Sequence, residues 1–186
     1  MKLNPMFNEG AAVKNEYLSL NPNEYVSNFI SFFKYWAYDK VCNINVSTCT
    51  ELVSLIINEH SSVCTNNSCL GKWLCLDSNG IIYHCDRLCV NEYILGDISE
   101  LSSIDEVFYN QNFLNILKKS ITRRNNCINN CEYYNNCYAG CNANYLLHNN
   151  SFCMQKEILK EIKSFIKITK KDLDNMNTKY SKILKR

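Results

Sequence analysis

The chain has 186 residues, 46% of them hydrophobic and 20% charged, with a formal net charge of +2. Such a composition buries a core, which excludes a wholly disordered chain, and the length suits one domain or one domain plus part of a second. The small net charge gives no reason to expect nucleic acid, no apolar run approaches the ~20 residues that span a bilayer, and the opening MKLNPMFNEG has no apolar signal region, so a cytoplasmic protein without membrane contact is expected.

A short segment, KLNPM at 2–6, ends around Pro5 and leads into a loop near Gly10. Asn21 then reads as a helix N-cap, with Pro22 at the first helical position. Tyr25, Val26, Phe29, Ile30, Phe33, Trp36 and Ala37 follow with helical spacing, which predicts an amphipathic helix turned to the core. Thr48 and Glu51 have the form of a capping box before Leu52, Leu55 and Ile56, predicting a second helix that ends near His60. Trp73–Leu76 and Ile81–Cys85 read as two strands joined by a hairpin turn at Asn79-Gly80, both turn residues taking positive φ. Ser103 and Glu106 form another capping box before a short helix, and a helix follows around Phe113, Leu114 and Leu117. Residues 125–153 read as a Cys- and Asn-rich loop region. From Met154 a basic helix is expected, with Ile158, Leu159, Ile162, Phe165 and Ile166 on one stripe. The 28 Asn are assigned no function.

The 12 cysteines carry the chemical signal. In a reducing compartment thiols bind metal more often than they form disulfides. One group is Cys69-x10-Gly80-x4-Cys85, with Cys64 and Cys75 close by; the hairpin folds its flanks together. The other is Cys127-x3-Cys131-x5-Cys137-x3-Cys141-x11-Cys153. Structural zinc uses four ligands in paired C-x2-C knuckles, and no C-x2-C pair occurs here. His60, His84 and His148 lack zinc-ligand spacing. More than four staggered thiols suit iron–sulfur clusters better. Residue chemistry therefore ranks iron–sulfur first, zinc second and disulfides last. Cys42, Cys49 and Cys89 read as small buried hydrophobes.

The order C-x10-G-x4-C, a long gap, C-x3-C-x5-C-x3-C and a final Cys resembles the SPASM domain. That domain is the C-terminal extension of radical S-adenosylmethionine (SAM) enzymes that modify peptides and proteins. GIIYHC at 80–85, ILGDI at 94–98 and CYAGC at 137–141 also resemble family text. Cys127-x3-Cys131 departs by one residue from the family's C-x2-C. The resemblance spans about residues 64–153. It implies two auxiliary [4Fe–4S] clusters. Cys69, Cys85 and Cys141 would hold the first, completed by Cys64 or else Cys75, and Cys127, Cys131, Cys137 and Cys153 the second. Asp86 stands where an Asp of sulfatase-maturating relatives resembles a proton acceptor; an Asp capping the hairpin flank is the alternative. His84 points to the other strand face and reads as structural.

The resemblance divides the chain into a remnant of a radical SAM partial barrel (1–62), a SPASM-like iron–sulfur domain (63–155) and a basic C-terminal helix (156–186). In it, KLNPMFNEG corresponds to a late barrel strand and loop. The fold class is α+β: a β-hairpin, short helices and Cys loops with flanking helices. The C-x3-C-x2-C motif that holds the SAM-cleaving cluster is absent, because the third positions are Glu92, Tyr134 and Asn144. SAM would bind only if a further N-terminal part or a separate barrel chain supplied its site. The expected role is the cluster-bearing C-terminal part of a maturase acting on a ribosomal peptide or protein. The alternatives are a standalone iron–sulfur electron carrier or peptide-binding module, and a zinc-stabilised interaction protein.

Overall fold

The computed structural model describes residues 1–3, 15, 21–39, 41, 44–58, 63–67, 69–147 and 152–169. The expected barrel-strand segment at 4–10, Cys42, His60 and His148 lie outside the described residues. The chain forms two compact units: Met1–Val63 with Asn135–Cys137 and Asn149–Arg186, and Cys64–Tyr134 with Tyr138–His148.

The first unit is helical. Helix α1 (Pro22–Tyr38) starts as its sequence predicts, with the Asn21 side chain accepting from the Asn23 N–H and proline in the first turn. Its buried stripe is Phe29, Ile30, Phe33, Trp36 and Ala37. Helix α2 (Ser47–Asn58) starts two residues earlier than the capping box implied. Thr48 lies inside it and exchanges hydrogen bonds with the Leu3 backbone at 2.9 and 3.2 Å. The backbone and hydroxyl of Ser47 donate instead to the Met1 carbonyl. A neighbouring chain segment thus satisfies the helix start that a local side chain was expected to satisfy.

Helix α6 (Met154–Thr169) packs its stripe of Ile158, Leu159, Ile162, Phe165 and Ile166 against α1 and α2, and all five are buried. Phe165 meets Phe33 and Tyr38 edge-on, with ring centroids 5.4 Å apart in both pairs. Each such side chain contributes about 1.5–3 kcal/mol by leaving water.

The second unit carries a three-stranded antiparallel sheet of β1 (Cys75–Leu76), β2 (Ile81–Tyr83) and β3 (Ile94–Asp97), in the order β1-β2-β3. Cys75 pairs with Tyr83 and Leu76 with Ile82. The expected strands are shorter than their apolar runs, since pairing stops at Cys75 and Trp73 is exposed. The hairpin turn also differs from expectation. Only Gly80 takes positive φ, at 87°, and Asn79 does not. The Asp77 carboxylate accepts from the Asn79 and Ile81 N–H groups at 2.8 and 3.0 Å, and the Gly80 N–H bonds to the Asp77 carbonyl. An Asp-led turn closed by glycine therefore replaces the two-residue type I′ turn.

Strand β3, not identified as a strand from sequence, completes the sheet through Ile82 opposite Gly96. Ser103 and Glu106 make the expected reciprocal capping box on a 3-10 helix, Ile104–Tyr109. Helix α3 (Gln111–Asn130) runs well into the segment expected to be loop. Two further short helices follow, α4 (Tyr134–Cys137) and α5 (Asn142–Leu147). Asparagine is only a modest helix former, and here tertiary contacts override it. Phe113 and Ile116 of α3 join Ile82, Leu88, Leu95 and Val107 in the unit's core. The Asn112 side chain bonds to the Ile94 carbonyl of β3 at 2.8 Å, and Ser120 to Asn142 of α5 at 2.9 Å. The expected combination of helices with a small antiparallel sheet is present.

Candidate functional site

Cys64, Cys69, Cys85 and Cys141 all belong to the second unit. Cys64 opens a 3-10 turn, Cys64–Asn66. Cys69 is half-buried, and its carbonyl accepts from the Lys72 N–H at the foot of the hairpin. Cys85 follows β2 in extended conformation and caps a 3-10 helix, Asp86–Leu88. Cys141 is buried in the same core as Ile82 and Leu88. Just before it, Tyr138, Ala139 and Gly140 take φ of 48°, 70° and 69°. Three successive left-handed residues are costly outside glycine and turn the chain sharply into Cys141.

These thiols influence one another. Burial raises the Cys69 pKa above its usual value, and neighbouring Cys141 and Cys64 raise it further. The Cys85 thiol is pushed up to about 12, first by burial, then by its hydrogen bond to Asp86 and by the charges of Asp86 and Cys141, against a lowering backbone contact at Arg87. The Cys85 thiol donates to Asp86 Oδ1 at 3.1 Å.

Arg87, which sequence reasoning did not single out, ties this region together. Its guanidinium lies 3.9 Å from Cys141 Sγ and donates to Asn144 Oδ1 at 3.1 Å. From α3, Arg123 donates to the Cys141 carbonyl at 2.8 Å and stacks over the Tyr145 ring. A cation beside thiolates offsets the negative charge that gathering them creates. The one sequence signal for Arg87 was its place two residues after Cys85.

Cys75 faces another cysteine. Its sulfur is 3.8 Å from that of Cys89. Cys89 is exposed, contrary to its expected burial, because it ends the 3-10 helix on the surface side of Leu88, which is buried. Cys49, by contrast, is buried as expected.

The remaining cysteines divide between the two units. Cys127 lies in the last turn of α3, and the N–H of Cys131, just past that helix, bonds to the Cys127 carbonyl at 2.9 Å. Both belong to the second unit, whereas Cys137 and Cys153 belong to the first. Cys137 is buried at the end of α4; Cys153 is exposed ahead of α6.

Among the described residues, no three His, Cys, Asp or Glu side chains converge closely enough for a single metal ion. A four-iron cluster sets its thiolates wider apart than one ion does, and its sulfides accept backbone N–H bonds. Arg87 is the cation beside the Cys141 sulfur, and Cys64, Cys69, Cys85 and Cys141 come from separate segments of one unit.

His84 is 1% exposed, and neither ring nitrogen has a hydrogen-bond partner among the described residues. Burial lowers its pKa, with the Trp73 backbone acting the other way. Its place inside the unit agrees with a packing role. No described helix is long and apolar enough to cross a membrane.

No family model matches the chain. A cysteine-type anaerobic sulfatase-maturating enzyme of Clostridium novyi (strain NT) is 29% identical over 129 residues, 68% of this chain and 34% of that protein. The enzyme of the same description from Clostridium perfringens (strain ATCC 13124) is 25% identical over 143 residues, 75% of this chain and 37% of the relative. The chain is similar to anaerobic sulfatase-maturating enzymes. It spans about a third of the length of these relatives and matches their C-terminal part. Among solved structures, histidine-tagged anSMEcpe with bound AdoMet matches with a TM-score of 0.60 over 98% of this chain and 48% of that one, at 22% identity. Native anSMEcpe with bound AdoMet and the Kp18Cys peptide matches at 0.55, over 93% and 47%, also at 22% identity. The fold is thus shared with part of the maturating enzyme.

Proposed function

We propose that the chain is the auxiliary-cluster part of a radical SAM maturase that modifies a peptide or protein, with Cys64, Cys69, Cys85 and Cys141 holding one [4Fe–4S] cluster. The observation that carries this reading is the place of those four cysteines in one unit, with Cys141 near enough to raise the pKa of both Cys69 and Cys85 and Cys64 that of Cys69, beside burial, in a chain similar to sulfatase-maturating enzymes. The engagement of Cys75 with Cys89 favours Cys64 as the fourth ligand. Cys127, Cys131, Cys137 and Cys153 are assigned to a second cluster, within a SPASM-like domain of about residues 63–155. Residues 1–62 are read as the end of the partial barrel and 156–186 as a closing basic helix.

A cluster held by these thiols would supply an acceptor for the electron that a substrate radical gives up. The protein's own groups do the rest. Iron binding requires Cys85 to lose its proton. Asp86 accepts a hydrogen bond from that thiol at 3.1 Å, and with Cys85 as a thiolate the carboxylate would be the nearby proton acceptor for a substrate. Arg87 compensates the charge at Cys141, and Arg123 holds the Cys141 backbone in place. The substrate class follows the relatives, one of whose structures contains a peptide. The missing C-x3-C-x2-C motif leaves SAM cleavage to a segment or chain beyond these residues.

The test is anaerobic reconstitution of the full chain, followed by iron and sulfide analysis and EPR after reduction. Two clusters give about eight irons with equal sulfide and reduced-cluster signals. Zinc without sulfide refutes the reading and leaves a structural metal module.

A further inference from the structure

The Cys75–Cys89 pair lies outside the proposed ligand set. Cys75 sits on edge strand β1, paired with Tyr83. Cys89 ends the 3-10 helix that follows Cys85 and Asp86. The sulfurs are 3.8 Å apart, and both residues are reduced. Bond formation needs a contraction of roughly 1.8 Å to reach the ~2.0 Å of a disulfide, within the range of side-chain rotation. Cys89 is exposed and Cys75 partly so, which leaves the pair open to small reagents. The Cys89 thiol also leans on the Cys85 carbonyl at 3.7 Å, so the pair adjoins the chain segment of the candidate site.

We infer that Cys75 and Cys89 form a redox-active dithiol, a modification site that closes to a disulfide by exchange with small-molecule disulfides such as oxidised glutathione. One of the two thiols loses its proton to solvent and attacks one sulfur of the small disulfide. The S–S bond breaks, and the departing glutathione thiolate takes up that proton. The other protein thiol, deprotonated in turn, attacks the protein sulfur of the mixed disulfide and expels the second glutathione, which takes up its proton. Two protein thiols become one disulfide, and one small disulfide becomes two thiols. The product staples β1 to the turn after Asp86 and removes the S–H group that faces the Cys85 carbonyl. A surface disulfide of this kind is readily reduced again, as regulatory ones are. The inference rests on Cys64, and not Cys75, completing the first proposed ligand set.

The test treats the anaerobically purified full chain with oxidised glutathione, blocks remaining thiols with N-ethylmaleimide, and maps unreduced peptides by mass spectrometry. The expected result is a Cys75–Cys89 crosslinked peptide that excess reduced glutathione removes. In C75S, glutathione remains attached to Cys89, at about tenfold or more the level seen in wild type, because the resolving thiol beside it is gone. Persistence of the mixed disulfide on wild-type Cys89, or predominant linkage of either residue to another cysteine, overturns the inference. Because the decisive reading is made on the wild-type chain, a folding defect in C75S does not rescue it.

Discussion

Replacing Gly80 by alanine tests whether the Asp-led turn holds the hairpin. Gly80 has φ +87°, a region in which an L residue costs about 1–2 kcal/mol. The new Cβ would also lie 3.2 Å from Ile98 Cγ2 and 3.5 Å from Asp97 Oδ1. Ile98 is 48% exposed, so it yields a few tenths of an ångström cheaply. The backbone on both sides is engaged, however. The Gly80 N–H bonds to the Asp77 carbonyl at 3.2 Å, and its carbonyl accepts from the Ile98 N–H at 2.9 Å. Relief by backbone rotation would strain both bonds, so the total comes to about 2 kcal/mol.

Gly71 is the internal control. Its φ is +76°, but a Cβ there meets nothing within 4 Å, so G71A carries only the conformational part, about 1 kcal/mol. G80N separates the causes further: asparagine tolerates left-handed φ yet still has a Cβ. It recovers part of the loss if backbone conformation dominates. Urea unfolding followed by circular dichroism measures all three, with an unchanged slope confirming that midpoints report stability. G80A within about 0.3 kcal/mol of wild type, or G80N no better than G80A, would refute the reasoning.

Three other outcomes are expected. Cys141→Ala removes the first cluster while keeping much of the second, so iron falls from about eight toward four per chain; loss confined to the second cluster shows the assignment of Cys141 to the first to be wrong. Leu159→Ala, at a fully buried position of α6, costs about 2–5 kcal/mol in urea unfolding, and a cost under about 1 kcal/mol contradicts the packing of α6 on α1 and α2. The buried Cys49 thiol has its pKa raised from 9.0 to about 12 by burial, so its contribution is intact below pH 9 and is lost as pH rises from 9 toward 12. By pH ~10.5 the loss is about 2 kcal/mol. The stability gap between wild type and Cys49→Ala should therefore shrink by about that amount between pH ~8 and ~10.5, and a constant gap contradicts the raised pKa.

The helices of the first unit were legible because their signals are local. Asn21-Pro22 and the spacing of Phe29, Phe33 and Trp36 need no distant partner to be read, and the stripe from Ile158 to Ile166 faces the core as its period requires. Ser103 and Glu106 cap their own helix for the same reason. Cysteine order and spacing are local in the same sense, and they carry the resemblance to the SPASM domain. Other features depend on residues far apart in the chain. Strand β3 is four residues long with a glycine inside, too short to show a period, and it exists because β2 offers an edge. Helix α3 persists through Asn-rich sequence because Phe113 and Ile116 are anchored in the core, and α2 begins at Ser47 because the Met1 carbonyl is there to accept. The pairing of Cys75 with Cys89, the exposure of Cys89 and the approach of Arg87 to Cys141 across 54 positions follow from the hairpin and the packing of α3 and α5. Sequence singled out the cysteines as candidates for the chemistry. Tertiary structure decided which thiols face one another, because that depends on contacts that no local pattern records.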